Sequence, residues 1–401
     1  MTYKEAIDWL YSTQQFGIKL GLEQPRRLLS ETLSYPKRGV KVIHVAGTNG
    51  KGSTCAILNS LAIASGTRVG LFTSPHLIDY RERIQVNNIQ ISEQKVATYL
   101  TKLKELVADW EHHPTFFELS LALGMHYFRE QECEFIILET GMGGRLDATT
   151  AVPADIAVIT PIANDHSEWL GETLAEIATE KAGIIIAGKP VISSKQEPAA
   201  LSAIEQKANE LACPLEIVTE PLTGYNISLA GKHQQENAAL AAAAAHQIGL
   251  SLNYDIVKAA LSKITWPGRF EKIPSTPFIV DGAHNPHAAK ALVETWHQQY
   301  PTTKAQLIFG ALEGKNTDKV LAILSTIAAH IHLTPIDSPR ALSTTELVKL
   351  LPEVSPAYTS YPDLKTAMAA CLEPTLITGS LFLIGEVKAT ISKKTTRPSS
   401  Q

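Results

Sequence analysis

Lys51 stands between Gly50 and Gly52 at the end of the run Val42-Ile43-His44-Val45-Ala46-Gly47-Thr48-Asn49, and a hydroxyl follows at Ser53. Glycines let successive backbone N–H groups converge on one point, a helix start adds partial positive charge, and lysine adds a full one, so this spacing suits the holding of phosphate. The β-branched run before the glycines and the Ala, Leu and Ile at helical spacing over residues 55–64 predict strand, loop and helix. Thr48, Asn49, Gly50, Lys51, Gly52 and Ser53 are therefore candidate nucleotide-binding residues. The common phosphate loop carries a glycine five residues before its Gly-Lys pair and a hydroxyl directly after the lysine. Here Val45 takes that glycine's place and Gly52 separates Lys51 from Ser53, so the loop is a variant.

Other residues with chemistry lie downstream. Glu139 ends the apolar run 135–138, and an acid at the carboxyl end of a core strand beyond a phosphate loop is where magnesium is held beside phosphates; a cap or salt-bridge partner is the plainer reading. Ser74 follows the strand pattern 69–72, and Pro75 fixes an extended turn that leaves the hydroxyl at the strand's end, or makes only a Ser-Pro turn. Glu118, in the first turn of the helix over 115–128, is favoured there by the helix dipole alone. His166 follows the strand 156–160 as a polar loop residue, Lys181 closes the helix 173–181 where a cation suits the dipole, and Arg83 lies in a charge cluster, Arg81-Glu82-Arg83.

The elements that must position these groups alternate. Helices are expected over 3–11, 20–29 and 94–111, and the alanine run 238–245 reads as a tightly packed helix. Trp266-Pro267-Gly268-Arg269 marks a boundary, beyond which strands are expected at 278–280, 306–310 and 381–384. The expected fold class is α/β: an N-terminal nucleotide-binding domain (1–269) with a mostly parallel sheet, and a smaller Rossmann-like C-terminal α/β domain (270–401). Residues 393–401 are polar and expected to fray.

With 401 residues, two domains can each hold a core. A net charge of −4 gives no electrostatic case for nucleic acid, so anionic substrates must be met by local cations. Cys55, Cys133, Cys213 and Cys371 form no paired motif and read as reduced thiols. The first eight residues carry no signal-peptide pattern and the longest apolar runs are too short or interrupted to span a membrane, so a soluble cytoplasmic protein is expected.

Gly-Thr-Asn-Gly-Lys-Gly-Ser at 47–53 resembles the loop of the Mur ligase superfamily, within its folylpolyglutamate synthase and dihydrofolate synthase branch. So do Leu20-Gly21-Leu22-Glu23, Ser74-Pro75-His76-Leu77, the Glu-x-Gly-x-Gly-Gly-Arg-x-Asp-Ala-Thr pattern at 139–149, and Asp281-Gly282-Ala283-His284-Asn285-Pro286. These motifs occur in family order over essentially the whole chain. The resemblance implies an ATP-dependent amide ligase of folate metabolism that joins L-glutamate to dihydropteroate and reduced folates. It implies Ser74, Glu139 and His166 as magnesium ligands, Lys181 as a carbamylated lysine beside a magnesium pair, and Lys51, Lys181 and His166 as catalytic. Asn237, Arg269 and Asp281 are implied to engage ATP, and Leu20, Gly21, Leu22, Arg83, Thr115, Phe116, Phe117, Glu118, Leu146 and His284 to meet the substrates. A monomer is expected. Thr140, Thr150 and Ile186 depart from the family pattern, as does Lys315, which is separated by two residues from Asp318 where the family has an adjacent Lys-Asp. A monofunctional folylpolyglutamate synthase, a ligase for another acid and amino acid, and a nucleotide-dependent kinase or switch are the alternatives.

Overall fold

The computed structural model describes residues 1–17, 19, 21–165 and 167–393. Leu20 and His166 lie outside the described residues.

Eight strands form the first sheet: β1 (Lys41–Ala46), β2 (Val69–Phe72), β3 (Ile84–Val86), β4 (Ile89–Gln90), β5 (Phe135–Glu139), β6 (Ile156–Ile159), β7 (Val191–Ser194) and β8 (Leu215–Val218), in the order β4-β3-β2-β5-β1-β6-β7-β8. All pairings are parallel except the β2–β3 and β3–β4 edge. The inner strands are mostly apolar because both faces are covered. Alternation still sorts their side chains. Val42, Ile136 and Leu138 join one core with the helix Phe116–Glu130, while Ile43, Val45 and Ile137 join another with the helices Lys51–Ala64 and Lys232–Gln247. The alanine run lies inside that last helix, which packs closely on its neighbour as alanine permits.

Register decides where the chemistry gathers. Val45 pairs with Glu139, Ala46 with Ile159 and Phe72 with Leu138, so the residues that follow β1, β2 and β6 emerge at one level beside Glu139. The strand order reverses about β1, and the crevice outside the carboxyl ends at such a point is where open α/β sheets bind ligands.

A second sheet contains β9 (Glu271–Lys272), β10 (Phe278–Val280), β11 (Ala305–Phe309), β12 (Ala328–Leu333), β13 (Ala357–Ser360) and β14 (Thr375–Thr378), in the order β13-β12-β11-β14-β10-β9. Only β9 runs antiparallel. One sequence expectation is corrected here. Residues 381–384 are not a strand but the opening of the helix Leu381–Ser392, and the strand lies earlier, at β14. Four apolar residues fit a strand or a buried helical turn equally. The decision comes from Ser380, whose hydroxyl accepts from the Phe382 amide as an N-cap. The helix expected to reach residue 111 stops at Leu106.

The two α/β units touch closely at Gly385. A Cβ there would meet the Leu77 carbonyl oxygen at 2.3 Å, so the C-terminal helix can approach the loop after Ser74 only without a side chain. Gly385→Ala should push the units apart by a fraction of an ångström. The activity that the family resemblance implies should fall by on the order of a hundredfold, with thermal unfolding shifted by only about 4 °C. Unchanged turnover would show that this contact does not set the cleft.

Candidate active site

The phosphate loop leaves β1 through Gly47, whose φ is +149° and whose added Cβ would lie 1.8 Å from Thr160 Oγ1; no side chain fits. Thr48 and Asn49 donate their amides to the Pro161 carbonyl at 3.0 and 3.2 Å, and the Thr48 hydroxyl exchanges hydrogen bonds with Ala163. Gly50, at φ +88°, starts the helix Lys51–Ala64 with no side-chain cap, which leaves first-turn amides for a ligand. Lys51 Nζ donates to the carbonyls of Gly47 and Thr48 at 3.2 and 3.3 Å.

Lys181 is buried and reaches the same point, its Nζ 2.8 Å from the Gly47 oxygen. The sequence alone favoured a surface lysine, and the structure corrects that. Burial, reinforced by the charge of Lys51, lowers the Lys181 pKa to about 7, while Asp165 and Asp147 pull the other way. Burial thus favours the free amine over the ammonium.

Glu139 is buried at the end of β5 and accepts from the Ser74 amide at 3.1 Å. Burial raises its pKa, and Lys51, the Ser74 amide, Arg269 and Arg83 oppose that. A Glu carboxylate and a Ser hydroxyl are hard oxygen donors. Magnesium is commonly held by one or two carboxylates with phosphate oxygens and waters completing the shell, so these two fit it. Among the described residues no group of three or more His, Cys, Asp or Glu is set to hold a metal ion.

The second unit supplies the opposite wall. Asp281 accepts from the Phe270 and Ala283 amides at 2.9 and 2.8 Å, beside Arg269. Asn285 and Asn49 exchange side-chain amide bonds at 3.0 and 3.3 Å, which ties the phosphate loop to the start of the helix Pro286–Gln299. Lys315 Nζ lies 2.7 Å from Asp165 Oδ1 in a pair largely shielded from water, and His284 Nε2 is 3.6 Å from the other oxygen of Asp165. Asn237 is buried and joins Ser53 through Gln234.

One continuous cleft of about 1060 Å³ is lined by residues 48–53, Ser74, Glu139, Lys181, Asn237, Arg269, Asp281 and His284, and by Thr115, Phe117, Glu118 and Leu146 at its other end. That end is held by a capping box in which Thr115 and Glu118 bond each other's amides, an arrangement worth on the order of 1 kcal/mol. Gly21, Leu22, Arg83 and Phe116 do not line the cleft. Arg83 is no solvated charge: it is fully buried, its Nε 2.7 Å from His76 Nδ1 and its guanidinium over the Phe116 ring. Sequence reasoning did not select Asp147, Asp165, Asn285 or Lys315 as site residues. Strand-end placement after β6 was a usable signal for Asp165; its pairing with Lys315, 150 positions away, was not visible.

Two parallel-sheet units facing one cleft, one with a phosphate loop and the other with an Arg–Asp pair, define a Mur-type ligase, and the family comparisons agree. The Mur ligase middle domain matches residues 45–211, and the Mur ligase glutamate ligase domain matches residues 268–385. The chain is 34% identical over 423 residues to dihydrofolate synthase/folylpolyglutamate synthase of Bacillus subtilis, with 96% of this chain and 98% of that protein covered. It superposes on E. coli FolC in complex with DHPP and ADP with a TM-score of 0.86, 31% identity, and coverage of 97% and 98%. The bifunctional enzyme of Yersinia pestis complexed with AMPPNP and Mn ion gives 0.86, 30% identity, and 98% of both chains. The chain belongs to the dihydrofolate synthase/folylpolyglutamate synthase family. No helix among the described residues is long and apolar enough to cross a membrane.

The depressed pKa of Lys181 has a consequence for stability. Between about pH 7 and 10.5 the unfolded chain holds a proton that the folded chain has lost, so stability rises with pH across that window. In buffer free of carbon dioxide, Lys181→Met should be more stable than the native protein near pH 7, and the advantage should shrink toward pH 10.5. Denaturant midpoints measured along that range check the sign; an advantage that is constant with pH would contradict it.

Proposed function

We propose that this enzyme uses ATP to join L-glutamate to dihydropteroate, forming dihydrofolate, and extends reduced folates with further glutamates at the same site. The observation that carries the reading is the convergence of Lys51, Lys181, Ser74 and Glu139 on one level of the first sheet, in a cleft running from an aromatic acid end to the second unit.

The acid's carboxylate attacks the γ-phosphoryl group to give an acyl phosphate and ADP, and the glutamate amine then displaces phosphate to form the amide. Lys51 and the loop amides neutralise the β and γ phosphates as charge develops. Arg269, Asp281 and Asn237 hold the nucleotide, and His284 meets the incoming amino acid. Thr115, Phe117, Glu118 and Leu146 take the pterin end. Magnesium, held by Ser74, Glu139 and His166, supplies charge neutralisation and positioning. A carbamate on Lys181 would help hold a second magnesium, and the depressed pKa of Lys181 suits capture of carbon dioxide, which needs the free amine. Residues 1–269 form the nucleotide and pterin domain and 270–401 the domain that closes over it, shielding the acyl phosphate from water. The enzyme acts as a cytoplasmic monomer.

ATP turnover should be silent until a pteroate or folate acid and glutamate are both present, and Lys51→Met should reduce kcat by about 10²–10³. Phosphate release measured with dihydropteroate and with tetrahydrofolate in separate arms tests both activities, and no stimulation by either would overturn the reading. ¹³C-labelled bicarbonate should give a carbamate carbon signal in the native enzyme and none in Lys181→Ala. An unlabelled native enzyme would remove the carbamate.

A further inference from the structure

The acid end of the cleft is braced by polar groups that begin inside the first sheet. His44 lies in the middle of β1, 1% exposed, with Nε2 2.7 Å from the Thr149 hydroxyl. That hydroxyl donates to Asp147 Oδ1, which also accepts from the Thr149 amide at 3.0 Å. Asp147 Oδ2 accepts from the amides of Gly141 and Met142 at 3.0 and 2.9 Å. Asp147 lines the cleft beside Phe117 and Leu146.

A histidine is the wrong residue for this strand on packing grounds alone. Its neighbours in β1 are Val42, Ile43, Val45 and Ala46, and an apolar side chain would complete the core without a polar group to satisfy. Hydrogen-bond arithmetic shows what the imidazole adds. The Thr149 hydroxyl has one proton, and the Asp147 carboxylate, already facing three backbone amides, can only accept it. The Thr149 oxygen must then accept from His44 Nε2–H, which fixes the tautomer. Burial holds the imidazole neutral, with a pKa lowered to about 3.

We infer that His44 and Thr149 are positioning residues for the acid substrate: the chain His44 to Thr149 to Asp147 fixes the rotation of a cleft-wall carboxylate that the pterin-bearing acid meets. The inference rests on the functional reading above. Without the Thr149 hydroxyl, Asp147 Oδ1 keeps one amide donor against the two on Oδ2, so rotation about the Cβ–Cγ bond is held less tightly. Neither His44 nor Thr149 lines the cleft, so both act through Asp147.

Steady-state kinetics on the full-length enzyme test this. Thr149→Val keeps the shape and removes the hydroxyl; the KM for dihydropteroate should rise about tenfold, with the KM for ATP and kcat within about twofold of native. Thr149→Ser should restore the native value. His44→Leu should match Thr149→Val, and His44→Gln, whose amide nitrogen can stand near the Nε2 position, should recover most of the loss. The double variant His44→Leu/Thr149→Val should be no worse than either alone, because both break one chain. The inference is overturned if the ATP and dihydropteroate KM values rise together, if only kcat falls, or if the two substitutions add. Should Thr149→Val not fold, His44→Leu against His44→Gln makes the same comparison. Native enzyme with no pteroate-dependent turnover would remove the functional reading and this inference together. Native turnover with unchanged KM in the variants removes this inference alone.

Discussion

One backbone oxygen, that of Gly47, accepts from the Nζ of both Lys51 and Lys181. Two lysine side chains meet at one point, in a chain of net charge −4, only because the fold holds them there. Buried charge is costly unless it is paired, and the protein offsets it partly: burial drives Lys181 toward the neutral amine, and Glu139, Asp147 and Asp165 stand nearby. Gly47 without a side chain, the Val45–Glu139 register and the uncapped helix start each serve that single point.

The second unit is attached to that point by contacts of a different kind. Asn49 and Asn285 exchange neutral amide bonds, and Lys315 and Asp165 form the shielded ion pair between the units. Gly385 sets the distance at Leu77. Amide pairs and ion pairs of this kind contribute modestly compared with a core. The joint is thus polar at Asn49, Asn285, Asp165 and Lys315 and apolar where Leu77 packs against the second unit's core, whereas each unit has cores of its own on both faces of its sheet.

How much of this the sequence carried follows from how local each signal is. The phosphate loop is contiguous, and its glycines, lysine and flanking periodicities are enough to draw it. Glu139 and Ser74 could be placed at strand ends because apolar runs precede them, and the shared register then brought them together. Arg83 was misread because a charge cluster has the same composition whether it is solvated or, as here, inserted beneath an aromatic ring against His76. Residues 381–384 were misread because a four-residue apolar run has no period, and only the Ser380 cap distinguishes the outcomes. The Asp165–Lys315 pair and the His44–Thr149 bond depend on contacts 150 and 105 positions apart, for which one sequence contains no local trace.

The two ends of the cleft also differ in what holds them, and that difference orders the chemistry. The acid end is built from Lys19, Thr115, Phe117, Glu118, Leu146 and Asp147, all from the first unit and braced by its own sheet and helix cap. The cleft is also lined by Arg269, Asp281, His284 and Lys315 from the second unit, the side proposed to meet the nucleotide and the amino acid. Separating the units would leave the first end complete and dismantle the second. Under the proposed function an acid substrate would be met by residues of the first unit alone, whereas phosphoryl transfer would need both units, whose joint cover would exclude water from the activated acid. Preorganisation is thus concentrated at the acid end and adaptability at the end where phosphate must leave and the next glutamate must enter.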